Sequence, residues 1–440
     1  MGISMSFGVA TRKCTQTSAL RIYLPTTLCF LVICVTNSTI LHILAQHGLV
    51  YGADQSLAVN FDKTARFFLI PIKSLIFFVC TAVLIAPLGR AFLEVGRKTL
   101  IPKLLFKTMT SVCICIIMTS TVFPFSFGRS YARISTDPFN QNVDQLYRRL
   151  LIPGLANLYH LDGFLYTLLF WAIVLFTALA TRVYFLRKDI TLSILQEVSF
   201  LTVGVFVASF QLPGYPEIAV LLLALIALIE IENDGLFTAK QLAAFSLALM
   251  AHEACAVIMF VPMILFLFGR KSWIPSGIVT LIYGVAVLTN FSYNISVPLG
   301  IQTTVSDIPS TYYFWRSPSN VLIAALFTFK ALWVIIVVAI FHLLRNNLRI
   351  ACFVLFGIAL ALASTYIAVD YSRLIGFATI PMIVCFVEAR RRISLRIFNT
   401  IIAINILIPS FYVSYEGIGT FKGLYYEVYS LFLKLPLPAS

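Results

Sequence analysis

A histidine–glutamate pair interrupts one of the most apolar stretches of the chain. His252 and Glu253 stand among Leu, Ala, Met, Val, Ile and Phe in AFSLALMAHEACAVIMFVPMILF, residues 244–266. A charged carboxylate at the centre of a bilayer costs about 2.5–3.5 kcal/mol on insertion scales. We therefore expect the pair to lie where water can reach it. There it either forms a hydrogen-bonded structural pair or orients a substrate hydroxyl or a catalytic carboxylate.

The segment STDPFNQNVDQLYRRLLIPGLANLYHLDG, residues 135–163, is the richest in reactive side chains. Arg148 and Arg149 suit a clamp on phosphate, because the guanidinium group is planar and donates two parallel hydrogen bonds. Asp137 or Asp144 would then act as the general base. The alternative is that the two arginines pair with these aspartates and seal the loop.

Further charged groups lie at the end of an apolar stretch or inside one. The motif AVDYSRL places Asp370 and Arg373 three residues apart. They form an ion pair on one helix face, or Arg373 contacts an anionic donor at the lipid–water boundary. Lys330 and Glu197 lie within apolar runs. Ion- or proton-coupling residues of transporters show this pattern, and so do partners in hydrogen bonds between helices and side chains that snorkel to the membrane surface.

The elements that must position these residues are apolar. Hydrophobic residues make up 60% of the 440-residue chain and charged residues only 11%, whereas about a quarter of the residues in a soluble domain are charged. Apolar runs of roughly 17–25 residues recur along the chain, and each can cross a hydrocarbon core of about 30 Å. The sequence thus predicts an all-α fold, a polytopic transmembrane helical bundle.

The net charge of +14 concentrates in short loops between the apolar runs. This pattern indicates the cytoplasmic side of a membrane rather than a nucleic-acid interface. The nine cysteines form no CxxC pair, and the five histidines form no HExxH motif. We therefore expect no zinc site and no certain cofactor, while the outer aspartates leave room for a divalent metal ion.

The positions of lysine and arginine, followed from a cytoplasmic N-terminus, predict about thirteen helices. Residues 238–271 would form two short helices folded back at the His–Glu pair, because a single helix would be too long and would place Arg270 and Lys271 outside. The segment 135–163, QLPGYPE, the His–Glu pair and VDYSR then all meet the same side of the membrane. Their convergence predicts a polar cavity on the non-cytoplasmic side.

The chain is expected to form one integral-membrane domain over residues 1–440. Residues 1–108 would hold helices 1 and 2 and a basic cytoplasmic loop, residues 109–395 the core, and residues 396–440 the last helix and an interfacial tail. This organisation predicts a multi-pass protein of the plasma membrane, the inner membrane of a bacterium, with its N-terminus in the cytoplasm.

The segments DPFNQNVDQLYRRLLIPGLANLYHLDG, LMAHEACAVIMFVPMILF and VDYSRLIGFATIP, in this order, resemble a loosely defined group of bacterial multi-span proteins. Their architecture is similar to the GT-C class of integral-membrane glycosyltransferases. That class uses lipid-phosphate sugar donors and an acidic residue in an early outer loop. The resemblance implies a GT-C-like core in which Asp137 matches the acid and Arg373 a distal arginine. Two helices precede this loop here, so Asp54 or Asp62 is the other candidate for the acid.

These observations predict a glycosyltransferase at the non-cytoplasmic membrane face. It would transfer a sugar from a polyprenyl-phosphate-linked donor to a cell-envelope glycan or lipid acceptor, which together with the lipid bilayer are its expected partners. Arg148, Arg149, His252, Glu253, Asp370 and Arg373 would bind the substrate or the donor phosphate. No Walker A, GxSxG or Rossmann motif supports nucleotide-driven chemistry in the chain. An O-antigen or capsule polymerase and a secondary transporter remain the alternatives.

Overall fold

The computed structural model describes residues 100–119, 127–138, 149, 151–234, 239–293, 318–365, 370–408, 410, 412–414 and 417–419. Over these ranges the regular secondary structure is helical apart from one short antiparallel ribbon, which confirms the predicted all-α class. The predicted helices 1 and 2, with Asp54 and Asp62, lie outside these residues.

The helices vary widely in length, from one and a half turns to six. The first eight are α1 (Leu100–Thr119), α2 (Phe127–Ile134), α3 (Leu151–Leu158), α4 (Tyr166–Arg187), α5 (Ile194–Leu201), α6 (Gly204–Gln211), α7 (Glu217–Asp234) and α8 (Ala239–Ala251). The next eight are α9 (Glu253–Phe266), α10 (Trp273–Tyr293), α11 (Pro318–Phe329), α12 (Leu332–Asn346), α13 (Leu348–Ser364), α14 (Tyr371–Gly376), α15 (Thr379–Arg392) and α16 (Leu395–Leu407). The ribbon consists of β1 (Tyr412–Ser414) and β2 (Gly417–Gly419).

Few of these helices are long enough to cross a membrane unaided. Within the described ranges α4 alone has both the length and the apolar composition. Two bent pairs, α5–α6 and α11–α12, raise the number of candidate spans to three if each pair counts as one span. The predicted total of about thirteen spans and the GT-C-like arrangement therefore stay predictions.

One end of the helix assembly is joined by basic side chains that reach backbone carbonyls or carboxylates of neighbouring helices. We call it the basic end, and it includes the C-terminal ends of α4, α7, α9, α12 and α15. Its contacts are Arg187 Nη1 to Ile229 O (3.4 Å), Arg391 Nη2 to Lys188 O (3.3 Å), Arg349 Nη2 to Leu267 O (3.0 Å) and His342 Nε2 to Glu388 Oε1 (3.1 Å).

The helices α8 and α9 agree with the predicted fold-back at the His–Glu pair. The helix α8 ends at Ala251, α9 begins at Glu253, and the two pack against each other. The start of α8 is held at the basic end by an ion pair of 3.1 Å between Lys240 and Glu230, and α9 also ends there. The His–Glu pair therefore forms the tip of a hairpin at the opposite end of the assembly.

The outer surfaces of several helices are apolar, while charges lie inside. Arg182 and Glu197 are almost fully buried between α1, α4 and α5. Ser111 Oγ donates to Glu197 Oε2 at 2.6 Å, so this acid is a partner in hydrogen bonds between helices, one of its three expected roles. Nine large apolar side chains of the described residues are each more than 60% exposed: Leu158, Tyr159, Ile274, Leu281, Ile282, Leu322, Phe341, Leu348 and Leu407.

The close contact between α13 and α15 depends on Gly357. A Cβ atom at this position would lie 2.5 Å from Cγ of Pro381, a rigid ring that cannot turn away. The Gly357→Ala variant should therefore be destabilised by about 1–3 kcal/mol. Gly277→Ala on α10 is the matched control, because a Cβ there meets nothing within 4 Å. Thermal unfolding of both variants in detergent micelles checks this, and equal stability would contradict the packing.

Candidate functional site

Polar residues from four separate stretches of sequence meet at the tip of the α8–α9 hairpin. We call this group the ionic cluster. It consists of Arg149, Glu217, His252, Glu253, Asp370 and Arg373. Side chains from the segment 135–163, QLPGYPE, the His–Glu pair and VDYSR are thus in direct contact, whereas the predicted cavity and its side of the membrane stay predictions.

The three acidic residues of the cluster lie at the N-terminal ends of helices. Glu217 is the first residue of α7, Glu253 is the first residue of α9, and Asp370 immediately precedes α14. The first turn of a helix presents backbone N–H groups without partners in the helix, which favour a carboxylate. The local sequence therefore gathers negative charge where these helices begin, and the arginines come from other segments.

Arg149 forms one half of the cluster with Glu253. Its Nε and Nη2 atoms donate to the two carboxylate oxygens of Glu253, both at 3.1 Å, and its Nη1 atom donates to the hydroxyl of Tyr131 at 2.8 Å. Burial alone would lower the pKa of Arg149, but Tyr131 and Glu253 outweigh it and raise that pKa. Burial raises the pKa of Tyr131 to about 12. This half is a two-point guanidinium–carboxylate pair whose acid is one-quarter exposed.

Arg373 forms the other half of the cluster. Its Nη1 atom lies 2.9 Å from Asp370 Oδ2, and its Nε atom lies 3.2 Å from Glu217 Oε1. The guanidinium group also stacks 4.9 Å from the ring centre of Tyr215, a cation–π contact. The alternative of an ion pair between Asp370 and Arg373 is therefore realised, but the arginine serves a second, deeper carboxylate as well.

Glu217 is the most deeply buried acid of the cluster and lies outside the three candidate spans. Burial alone would raise the pKa of its carboxyl, but Arg373, His252 and Arg149 outweigh that effect and lower the pKa to about 2. Neither carboxylate oxygen has a well-aligned hydrogen bond, so the contacts at 3.2 Å to Arg373 and 3.3 Å to His252 are electrostatic.

His252 is the N-cap of α9, and its Nδ1 atom accepts a hydrogen bond of 3.4 Å from the backbone N–H of Cys255. Burial lowers the pKa of the ring, and Arg149 lowers it further, while Glu217 acts in the opposite direction. Burial and Arg149 together favour the neutral ring, and a neutral ring whose Nδ1 accepts a hydrogen bond carries its proton on Nε2, 3.3 Å from Glu217 Oε1. The cluster thus combines two guanidinium groups with three carboxyl groups and one histidine ring.

The remaining predicted residues are placed differently. Asp137 lies exposed in the turn that follows α2, where its backbone N–H donates to Ile134 O, and no described contact joins its side chain to the cluster. Asp144 and Arg148 lie outside the described residues. The role of base for Asp137 or Asp144 stays a prediction.

Sequence reasoning missed Glu217, Tyr131 and Tyr215 as individual site residues. The segment QLPGYPE stood out as polar, and an acid that follows a proline at the start of an apolar run was the available signal. No feature of the sequence pointed to Tyr131 as a site residue, because its contact with Arg149 depends on how α2 packs.

A metal centre finds no support in the described ranges, where no group of three or more His, Cys, Asp or Glu residues could hold an ion. Comparison with known proteins gives no relative, since no family model, no curated protein and no solved structure matches the chain. The chain is an all-helical protein over the described residues, with a largely buried ionic cluster at one end. The likeness to GT-C enzymes rests on the quoted motifs alone.

The pH dependence of stability tests the electrostatic environment of Glu217. A carboxyl whose pKa is lowered on folding stabilises the fold above its unfolded pKa, and this contribution disappears as the pH falls through the folded value. We expect the free energy of unfolding of wild type to exceed that of Glu217→Gln by a pH-dependent contribution of about 3 kcal/mol near pH 7. That contribution should fade between about pH 4.5 and 2. Unfolding in micelles across this range measures it, and a constant difference would show that the carboxylate is not ion-paired.

Proposed function

We propose that the chain is a multi-pass membrane protein with the ionic cluster on the non-cytoplasmic side. The exposed apolar side chains on α10–α13 and α16 support contact with lipid, since soluble monomers rarely expose large contiguous apolar surfaces. The concentration of arginine and lysine at the basic end supports a cytoplasmic position for that end. The cluster lies at the opposite end and so faces outward in this arrangement.

The cluster supports a transfer reaction on a lipid-linked phosphate. Two guanidinium groups lie beside carboxylates, and one of these carboxylates, Glu253, is partly exposed. This convergence is the observation that carries the proposal. A donor phosphate that binds Arg149 would replace Glu253 as the partner of the guanidinium group, because both anions suit the same planar fork. Glu253 would then be released to accept a proton.

The proposed reaction is glycosyl transfer from a polyprenyl-phosphate-linked sugar to a cell-envelope glycan or lipid. Glu253 accepts the proton of the acceptor hydroxyl, and the hydroxyl oxygen forms a bond to the anomeric carbon. The bond between that carbon and the phosphate oxygen breaks, and polyprenyl phosphate leaves with the electron pair. Arg149 and Arg373 stabilise the charge on the leaving phosphate, and Glu217 and Asp370 hold Arg373 in place.

Two alternatives differ from this proposal, one within the same kind of chemistry and one of a different class. An O-antigen or capsule polymerase would use the same arginines on the same kind of donor, and it differs in the length of its product. A secondary transporter is favoured by a separate observation, the two helix pairs that bend by 72° and 86°. Broken helices are typical of transporter substrate and ion sites.

A complementation experiment tests the proposal. In a deletion strain, surface glycan and polyprenyl-linked sugars are compared after complementation with wild type, Glu253→Gln, Asp137→Asn or Glu230→Gln. Loss of the base should lower transfer about 10²–10⁴-fold in Glu253→Gln. Glu230→Gln should restore the glycan, because Glu230 lies at the basic end and pairs only with the exposed Lys240 among its described ion pairs.

The results of this experiment distinguish the candidate bases and the candidate functions. A defect in Asp137→Asn with normal transfer in Glu253→Gln would assign the base to Asp137 instead. Single repeat units in place of long chains would identify a polymerase. If the glycan and the lipid-linked sugars do not change in the deletion strain, the enzyme hypothesis is contradicted and secondary transport becomes the proposed function.

A further inference from the structure

The breaks in the two bent helix pairs lie against each other. The pair α5–α6 bends at Thr202 and Val203, and the pair α11–α12 bends at Lys330 and Ala331. Gly204, at the start of α6, has a φ of +59°, and a Cβ there would lie 3.2 Å from the ring of Phe329 at the end of α11. The ring of Phe329 thus packs against the backbone at the first break, and each break has a residue in a left-handed conformation, since Lys330 has a φ of +49°.

Lys330 lies inside this crossing. Only 6% of its surface is exposed. Its ammonium group donates to Ser410 Oγ at 3.0 Å, to Ile408 O at 3.1 Å and to Thr202 Oγ1 at 3.3 Å. All three acceptors are neutral oxygens, and no carboxylate in the described ranges pairs with this ammonium group.

Both hydroxyl groups at this site already donate their proton to a backbone carbonyl. Thr202 Oγ1 donates to Ser199 O at 2.9 Å, and Ser410 Oγ donates to Thr202 O at 3.0 Å. Each hydroxyl has one proton, so both oxygens can present only lone pairs to the centre of the site. The third oxygen is a carbonyl at the end of α16 and is an acceptor by nature. The three oxygens therefore form a cage that accepts a cation and cannot serve an anion.

We propose that this crossing is a binding site for a primary ammonium group, and that the chain fills it with its own Lys330. Three acceptors match the three N–H donors of a primary ammonium group. Irregular backbone at membrane depth occurs where it lines a cavity or an ion site, and the crossing of two broken helices fits that pattern. An amine that displaces Lys330 would occupy the same oxygens and release the contact between the two bent pairs. This inference does not depend on glycosyl transfer.

Chemical rescue tests the site. Lys330→Ala removes Cγ, Cδ, Cε and Nζ, the atoms that n-propylammonium contains. In the purified full-length protein, Lys330→Ala should unfold at a lower temperature than wild type. About 0.1 M n-propylammonium should raise its unfolding temperature by about 2 °C or more. Wild type should not respond to this small amine, because the ammonium group of Lys330 is tethered at the cage and competes with it at high effective concentration.

Three controls make the result specific. Tetramethylammonium at the same ionic strength carries the charge without N–H donors, and 1-propanol carries the chain without the charge. Neither should restore Lys330→Ala. Lys240→Ala removes a lysine that is 70% exposed and should not respond to the amine. Rescue by either control compound, or no rescue by n-propylammonium, would overturn the proposal.

A second pair of variants applies if Lys330→Ala does not fold. Lys330→Met keeps most of the side-chain volume, and Thr202→Val removes one cage oxygen. Thr202→Val should lower the unfolding temperature in wild type by clearly more than it does in the Lys330→Met background. Thr181→Val is the matched control, since its buried hydroxyl donates to its own helix at Thr177 O. Equal effects of Thr202→Val in the two backgrounds would overturn the proposal.

Discussion

The pairing of Arg149 with Glu253 and of Arg373 with Glu217 is the contact on which the other features of this end depend. A charge that is taken out of water must meet an opposite charge or a set of aligned dipoles, because the desolvation cost amounts to several kcal/mol per ion. Each arginine here comes from a segment distant in sequence from its carboxylate, 104 residues away for Arg149 and Glu253. One pair joins α9 to the segment before α3, the other joins α14 to α7, and the contact of His252 with Glu217 connects the two halves.

The same constraint is met in three ways in this chain. Arg182 and Glu197 form a closed pair, which Thr108 and Ser111 complete with hydroxyl groups. The ionic cluster is more open, and its partly exposed acid gives it a group that a substrate can reach. Lys330 has neutral oxygens in place of a carboxylate. The closed pair of Arg182 and Glu197 has a structural role. The ionic cluster and the Lys330 site, by contrast, can respond to a ligand.

The sequence predicted the convergence of the polar segments because charge and length constrain a membrane helix strongly. A single helix over residues 238–271 conflicted with both, and the fold-back at His252 followed. The pairing itself could not be read from the sequence, since neither arginine is close along the chain to its deeper carboxylate, and the tertiary packing of α2 and α14 selects the partners. The helix break at Lys330 was equally hidden, because an apolar run shows no sign of a residue in a left-handed conformation.

A double-mutant cycle between Arg149 and Glu253 tests the central claim most directly. Free energies of unfolding are measured in micelles for Arg149→Met, Glu253→Gln and the double variant, with Arg149 and Glu230 as a distant control pair. Direct contact predicts a coupling energy of about 1–3 kcal/mol for the first pair and additivity within about 0.5 kcal/mol for the control. Additivity in both cycles would show that Arg149 and Glu253 do not meet, and the ionic cluster would lose the pair that makes it a candidate site.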